Sequence, residues 1–131
     1  MLINLNTIKD QDTKKILESS ITDPKTSANI LRAILKTENL VDREREHFWV
    51  IGLNTRNKIM YVELLSLGTR NQALVVPAEV FRLAITKGAV FIICGHNHPS
   101  GDVSPSENDD FLIERIKSAG DSIGIGVLDH I

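Results

Sequence analysis

A single cysteine, Cys94, in 131 residues excludes an internal disulfide framework. It also excludes a structural zinc site closed by several thiolates. Aromatic residues make up only 5% of the chain, too few for a platform on which bases stack. Neither sign of charge dominates, since 15 Lys and Arg stand against 17 Asp and Glu for a net charge of -2. Lys and Arg are scattered in runs no longer than two, so a general nucleic-acid footprint is missing, although a local basic patch stays open. No apolar run reaches membrane length and no signal-peptide pattern is read, which makes a cytoplasmic protein without membrane contact the expectation. The HExxH string of zinc peptidases and the Pro-Cys-x-x-Cys string of zinc deaminases are both absent. There is no internal repeat and no low-complexity stretch.

What is present suffices for one domain with an ordinary core, since 42% of the residues are apolar. Residues 1–25 read as a lead-in, with a weak helix around Gln11 to Ser20 and a break at Asp23-Pro24. Ser27 is expected to open a helix whose face carries Ile30, Leu31, Ile34 and Leu35. The charged run 42–46 reads as a solvated connector, and His47 beside it as a surface or edge residue. Residues 48–53 and 60–66 read as strands joined by a turn at 54–57. A helix follows from Pro77 to Gly88, burying Val80, Phe81 and Ala84. Residues 89–94 read as an apolar strand in which Cys94 packs in the core. The spacing predicts a helix from Ser106 to about Ala119, stopped by Gly120, and a last strand over 122–129. The order α-β-β-α-β-α-β fits a mixed sheet flanked by helices.

The chemistry concentrates in residues 96–109, directly after the apolar strand and reading HNHPSGDVSPSEND. In extended chain, side chains at i and i+2 point to the same side, so His96 and His98 can approach one ion together. At the start of a helix, residues three apart share a face, so Ser106 and Asp109 can turn toward the same point. Two imidazoles and a carboxylate, with a fourth position left for water, form the ligand set of a catalytic zinc site. Simpler readings stand beside this one. Residues 99–102 are good turn chemistry, and Ser106 with Asp109 is close to a capping box. Asp102 is a second candidate for the carboxylate ligand. The tripeptide HNH is no sign of the HNH nucleases, whose residues lie far apart in sequence.

The pattern His96-x-His98, seven residues, Ser106, two residues, Asp109 resembles the JAMM (MPN+) motif of the JAB superfamily. The strings HNHPSGD, Glu63-Leu-Leu-Ser-Leu-Gly-Thr69, Val76-Pro77 and Leu128-Asp-His-Ile131 resemble the RadC family in particular. The resemblance covers residues 26–131. It implies an α/β fold of JAB/MPN type, with cytidine-deaminase-like layering. RadC proteins usually carry a helix-hairpin-helix-like region ahead of this domain, where the present sequence has the short lead-in. They also continue past the Asp-His pair with more strand, so the C-terminal end at Ile131 reads as shortened.

Within its strand, Glu63 is either solvent-facing or buried with a partner. The resemblance aligns it with the upstream glutamate of the motif and implies a catalytic role. On that expectation His96, His98 and Asp109 hold Zn2+ and Glu63 accepts the proton of a zinc-activated water. Ser106 then steadies the developing oxyanion. Asp129 and His130 are expected near the site as supporting groups. The family's chemistry implies cleavage of an amide bond, peptide or isopeptide, in a peptide or protein substrate. Two rivals remain: a nuclease or DNA-processing factor, since the family is associated with DNA repair, and a non-catalytic interaction module that keeps the metal. Exposed strand edges are compatible with a homodimer.

Overall fold

The computed structural model of the chain describes residues 2–4, 24–36, 45–67, 75–97 and 107–130, with the side chains of 24, 66, 67, 107–109, 129 and 130 left aside. Among the described residues, three helices and four strands follow one another as α1 (Pro24–Leu35), β1 (His47–Leu53), β2 (Ile59–Leu67), α2 (Pro77–Lys87), β3 (Phe91–His96), α3 (Glu107–Ile123) and β4 (Gly126–His130). The strands form one sheet in the order β2-β1-β3-β4. β1 runs antiparallel to both β2 and β3, while β3 and β4 are parallel. The sheet is therefore mixed, and the expected element order is observed.

Both faces of the sheet are covered. On one, Phe48, Val50, Tyr61, Ile92 and Cys94 pack against Val80, Phe81 and Ala84 of α2 and Ile113 and Ile116 of α3. On the other, Trp49, Ile51, Leu53, Val62 and Ile93 pack against Ile30, Leu31 and Ile34 of α1. Every residue of β1 is buried, because a central strand between two helical layers has no solvent side. That explains the unbroken apolar run over residues 48–53. Fully burying one such Val, Ile or Leu side chain contributes roughly 1.5–3 kcal/mol.

Local chemistry sets the ends of the elements. In the β1–β2 hairpin the Asn54 side-chain carbonyl accepts from the amides of Arg56 at 2.8 Å and Lys58 at 3.1 Å. Pro77 starts α2, where its missing N–H costs nothing. Gly88 ends the helix at φ 74°, a left-handed position that suits glycine.

Several expectations are corrected. The first helix begins at Pro24, not Ser27. Proline is pre-organised for a first helical turn, and Ser27 lies inside the helix, fully buried. Gly120 does not stop the last helix, which runs on to Ile123 and gives way at Gly124, φ 78°. Ser122 and Ile123 are thus helical, and β4 begins at Gly126. The β3 strand is shifted two residues later than 89–94, so it ends at His96. The weak helix around 11–20 lies outside the described residues.

Candidate metal centre

β3 carries the start of the motif to the edge of the core and stops there. His96 is its last residue and pairs with Phe48 of β1. The two rings lie nearly parallel, 4° apart in tilt with centroids at 6.3 Å. The His96 Nε2 atom is shielded from solvent. Paired residues of neighbouring strands project to the same face, so His96 belongs to the face covered by α2 and α3. The motif's other end returns on α3, whose first turn includes Asp109.

Of the expected ligands only His96 has a described side chain; those of His98 and Asp109 lie outside the described set, as do Ser106 and the alternative ligand Asp102. Among the described residues, no three His, Cys, Asp or Glu side chains cluster closely enough to hold a metal ion. Asp129 and His130 fall on β4, where His130 is in register with Cys94 and Asp129 with Ile93.

Glu63 pairs with Val50, which in turn pairs with Cys94. It therefore shares the His96 face but stands one strand away from β3, level with Cys94. Its side chain is half-buried, and its Oε1 is withdrawn from solvent with no hydrogen-bond partner among the described residues. Such an orphaned buried oxygen calls for an explanation. A proton-handling role beside a cation is one that fits, and the residue types of the motif fit zinc. Two residues along β2 the Tyr61 hydroxyl is also buried with no hydrogen-bond partner among the described residues. Burial first, then the Glu63 carboxylate and the Cys94 thiol, raise the Tyr61 pKa well above its ordinary value. The Cys94 thiol is fully buried and its pKa is pushed up to about 12 by that burial. It packs in the core on the face covered by α2 and α3.

Three residues escaped the sequence reading. Glu46, assigned to a solvated run, is half-buried with its Oε2 shielded. It lies just ahead of β1, two residues before Phe48, the residue that pairs with His96. His47, expected as a surface or edge residue, is fully buried and stacks on Trp49 with centroids 4.9 Å apart at 14°. Its Nδ1 lies 2.7 Å from the Arg45 carbonyl. Asn97, between the two motif histidines, bonds to the backbone of 45–47. The signal for all three was the antiparallel register of β1 and β3, which a single sequence does not display.

No helix among the described residues is long and apolar enough to cross a membrane. A family model described as RadC-like JAB domain matches residues 21–131. A UPF0758 protein of Desulforamulus reducens is 48% identical over 97 residues, 74% of this chain and 43% of the relative. One from Caldanaerobacter subterraneus is 43% identical over 112 residues, 86% of this chain and 46% of the relative. One from Finegoldia magna is 43% identical over 119 residues, 90% of this chain and 51% of the relative. The chain thus spans about half the length of the curated relatives it matches. With its mixed sheet between helical layers and its motif running from the end of β3 to the first turn of α3, the chain belongs to the RadC family, in the part that is the RadC-like JAB domain.

Proposed function

We propose that this domain is a zinc-dependent hydrolase acting on an amide bond, peptide or isopeptide. One observation carries the reading: a carboxylate oxygen of Glu63 is buried, with no hydrogen-bond partner among the described residues, on the sheet face to which His96 belongs. Leaving such an oxygen unpaired costs stability, and a site that uses the carboxylate accounts for its retention.

His96, His98 and Asp109 are the residues that would hold the ion. When bound, zinc supplies a water acidified from a pKa of 15.7 toward ~7 and a positive charge beside the scissile carbonyl. Glu63 accepts the proton of the attacking water and delivers it to the departing amine, a general acid–base role. The Ser106 hydroxyl donates a hydrogen bond to the oxyanion, which typically contributes ~3 kcal/mol to the transition state.

Glu46 is a second reading for the proton acceptor. Its shielded Oε2 and its place two residues before Phe48, the partner of His96, favour it. Glu63 reaches the His96 face from one strand further off. A phosphodiester substrate fits less well, because two-metal sites are the commoner solution there and the motif offers ligands for one ion. The net charge of -2 gives such a substrate no general attraction.

Zinc content per chain tests the proposal, measured for wild type and for the double variant His96→Ala/His98→Ala. About one zinc in the wild type and none in the folded variant supports it. A folded wild type that neither carries zinc nor takes it up when supplied overturns it.

A further inference from the structure

Asn97 follows His96, the last residue of β3, and is held by three hydrogen bonds to the segment that opens β1. Its Oδ1 accepts from the His47 amide at 2.6 Å. Its Nδ2 donates to the Arg45 carbonyl at 3.0 Å. Its backbone amide donates to the His47 carbonyl at 3.4 Å. A single side chain thus both donates and accepts across 50 positions of sequence.

The groups that receive it are themselves fixed. The Arg45 carbonyl also takes a hydrogen bond from His47 Nδ1 at 2.7 Å. A carbonyl only accepts, so Nδ1 carries the proton. The His47 ring is fully buried and stacks on Trp49, itself part of the core against α1. Asn97 is therefore tied to the buried first residue of β1 and to the bend just before it.

We propose that Asn97 is a positioning residue for the zinc site, and the inference rests on the zinc reading above. Its amide pins the chain directly after His96, where β3 ends. The direction in which His96 projects follows from that anchor. Ligands held in place before the ion arrives lose less freedom on binding. Partners one shell removed from a metal typically contribute 10–100-fold in affinity, and a residue that fixes ligand backbones acts in the same way.

The test measures affinity for zinc alone, and the visible spectrum with Co2+ as a substitute ion, on the full chain. Asn97→Ala is compared with wild type and with Asn54→Ala. Asn54 also bonds backbone amides through its side chain, but in the hairpin turn at the far end of β1. Asn97→Ala is expected to bind zinc about 10–100-fold more weakly, with altered cobalt bands, while folded Asn54→Ala keeps wild-type affinity and spectrum. Asn97→Asp keeps an acceptor for the His47 amide but offers no N–H to Arg45. It is expected to fall between the two, and it carries the test if Asn97→Ala does not fold. A wild type that binds zinc, with folded Asn97 variants binding as tightly, overturns this inference alone. A wild type that takes up no zinc overturns the zinc reading and this inference with it.

Discussion

The Tyr61 ring of β2 lies directly over Gly52 of β1, its cross-strand partner, so closely that a Cβ at position 52 would overlap the ring. The ring fills the space that a side chain on β1 would take, and its hydroxyl is thereby carried into the core. Gly52→Ala must displace the ring, and the ring is enclosed by the packed face of α2 and α3. Overpacking of this kind typically costs 1–3 kcal/mol. The expected outcome is a destabilisation of about 2–3 kcal/mol in urea unfolding. A neutral result would mean that Tyr61 can swing aside without loss.

Gly120 makes a second close approach, inside α3. A Cβ there would sit 2.5 Å from the Ile125 carbonyl, a backbone atom that cannot rotate away. Gly120→Ala should therefore push the chain entering β4 off its path, at a cost of about 2 kcal/mol or more. That is the reverse of the stabilisation by up to ~1 kcal/mol expected for Gly to Ala in an open helix interior. Thermal unfolding decides the sign.

These two glycines show where a single sequence stops being informative. The order of elements, the apolar faces of α1 and α2 and the hairpin turn were legible, because each is set by residues near one another in the chain. Gly120 looked like a helix stop, because a neighbour that matters is the Ile125 carbonyl in the following turn of chain. His47 looked exposed because charges precede it. Its burial comes from β1 being central in the sheet, a tertiary fact. The same holds for Glu46 and Asn97, which gain meaning only from the pairing of β1 with β3. The motif itself was legible as residue types in order. Its convergence depends on His98, Ser106 and the Asp109 side chain, which lie outside the described residues.

Cys94 gives a prediction in pH. Its pKa rises from 9.0 in the open chain to about 12 in the fold, through burial. The folded state holds the proton more tightly, so the contribution to stability is complete below pH 9 and is lost as pH climbs toward 12. Tyr61 acts in the same direction, starting from 10.0. Each group should lower the unfolding free energy by up to ~1.4 kcal/mol per pH unit within its window. In Cys94→Ala the decline between pH 9 and 10 should flatten, since Tyr61 enters only above that. The native thiol should also resist alkylation at pH 8 and react on unfolding. Rapid labelling of folded protein would contradict the burial.

The two glutamates separate chemistry from metal binding. Glu63→Gln should retain about one zinc per chain and lose hydrolysis of an amide substrate by ~10²–10⁴-fold, the range for removing a general acid–base group. Glu63→Leu should in addition leave the fold no less stable. It removes a buried oxygen that has no hydrogen-bond partner among the described residues, and relieving such an atom is worth ~1–3 kcal/mol. A residue whose replacement stabilises the fold while ending turnover is one kept for activity at a cost in stability. Glu46→Gln, assayed beside them, assigns the proton acceptor. If Glu63→Gln turns over at the full rate while Glu46→Gln fails with its zinc intact, the role passes to Glu46, as its place two residues before the partner of His96 suggests. If both fail with zinc retained, Glu63 and Glu46 share the proton between them, and only the double variant with rates at several pH values apportions it.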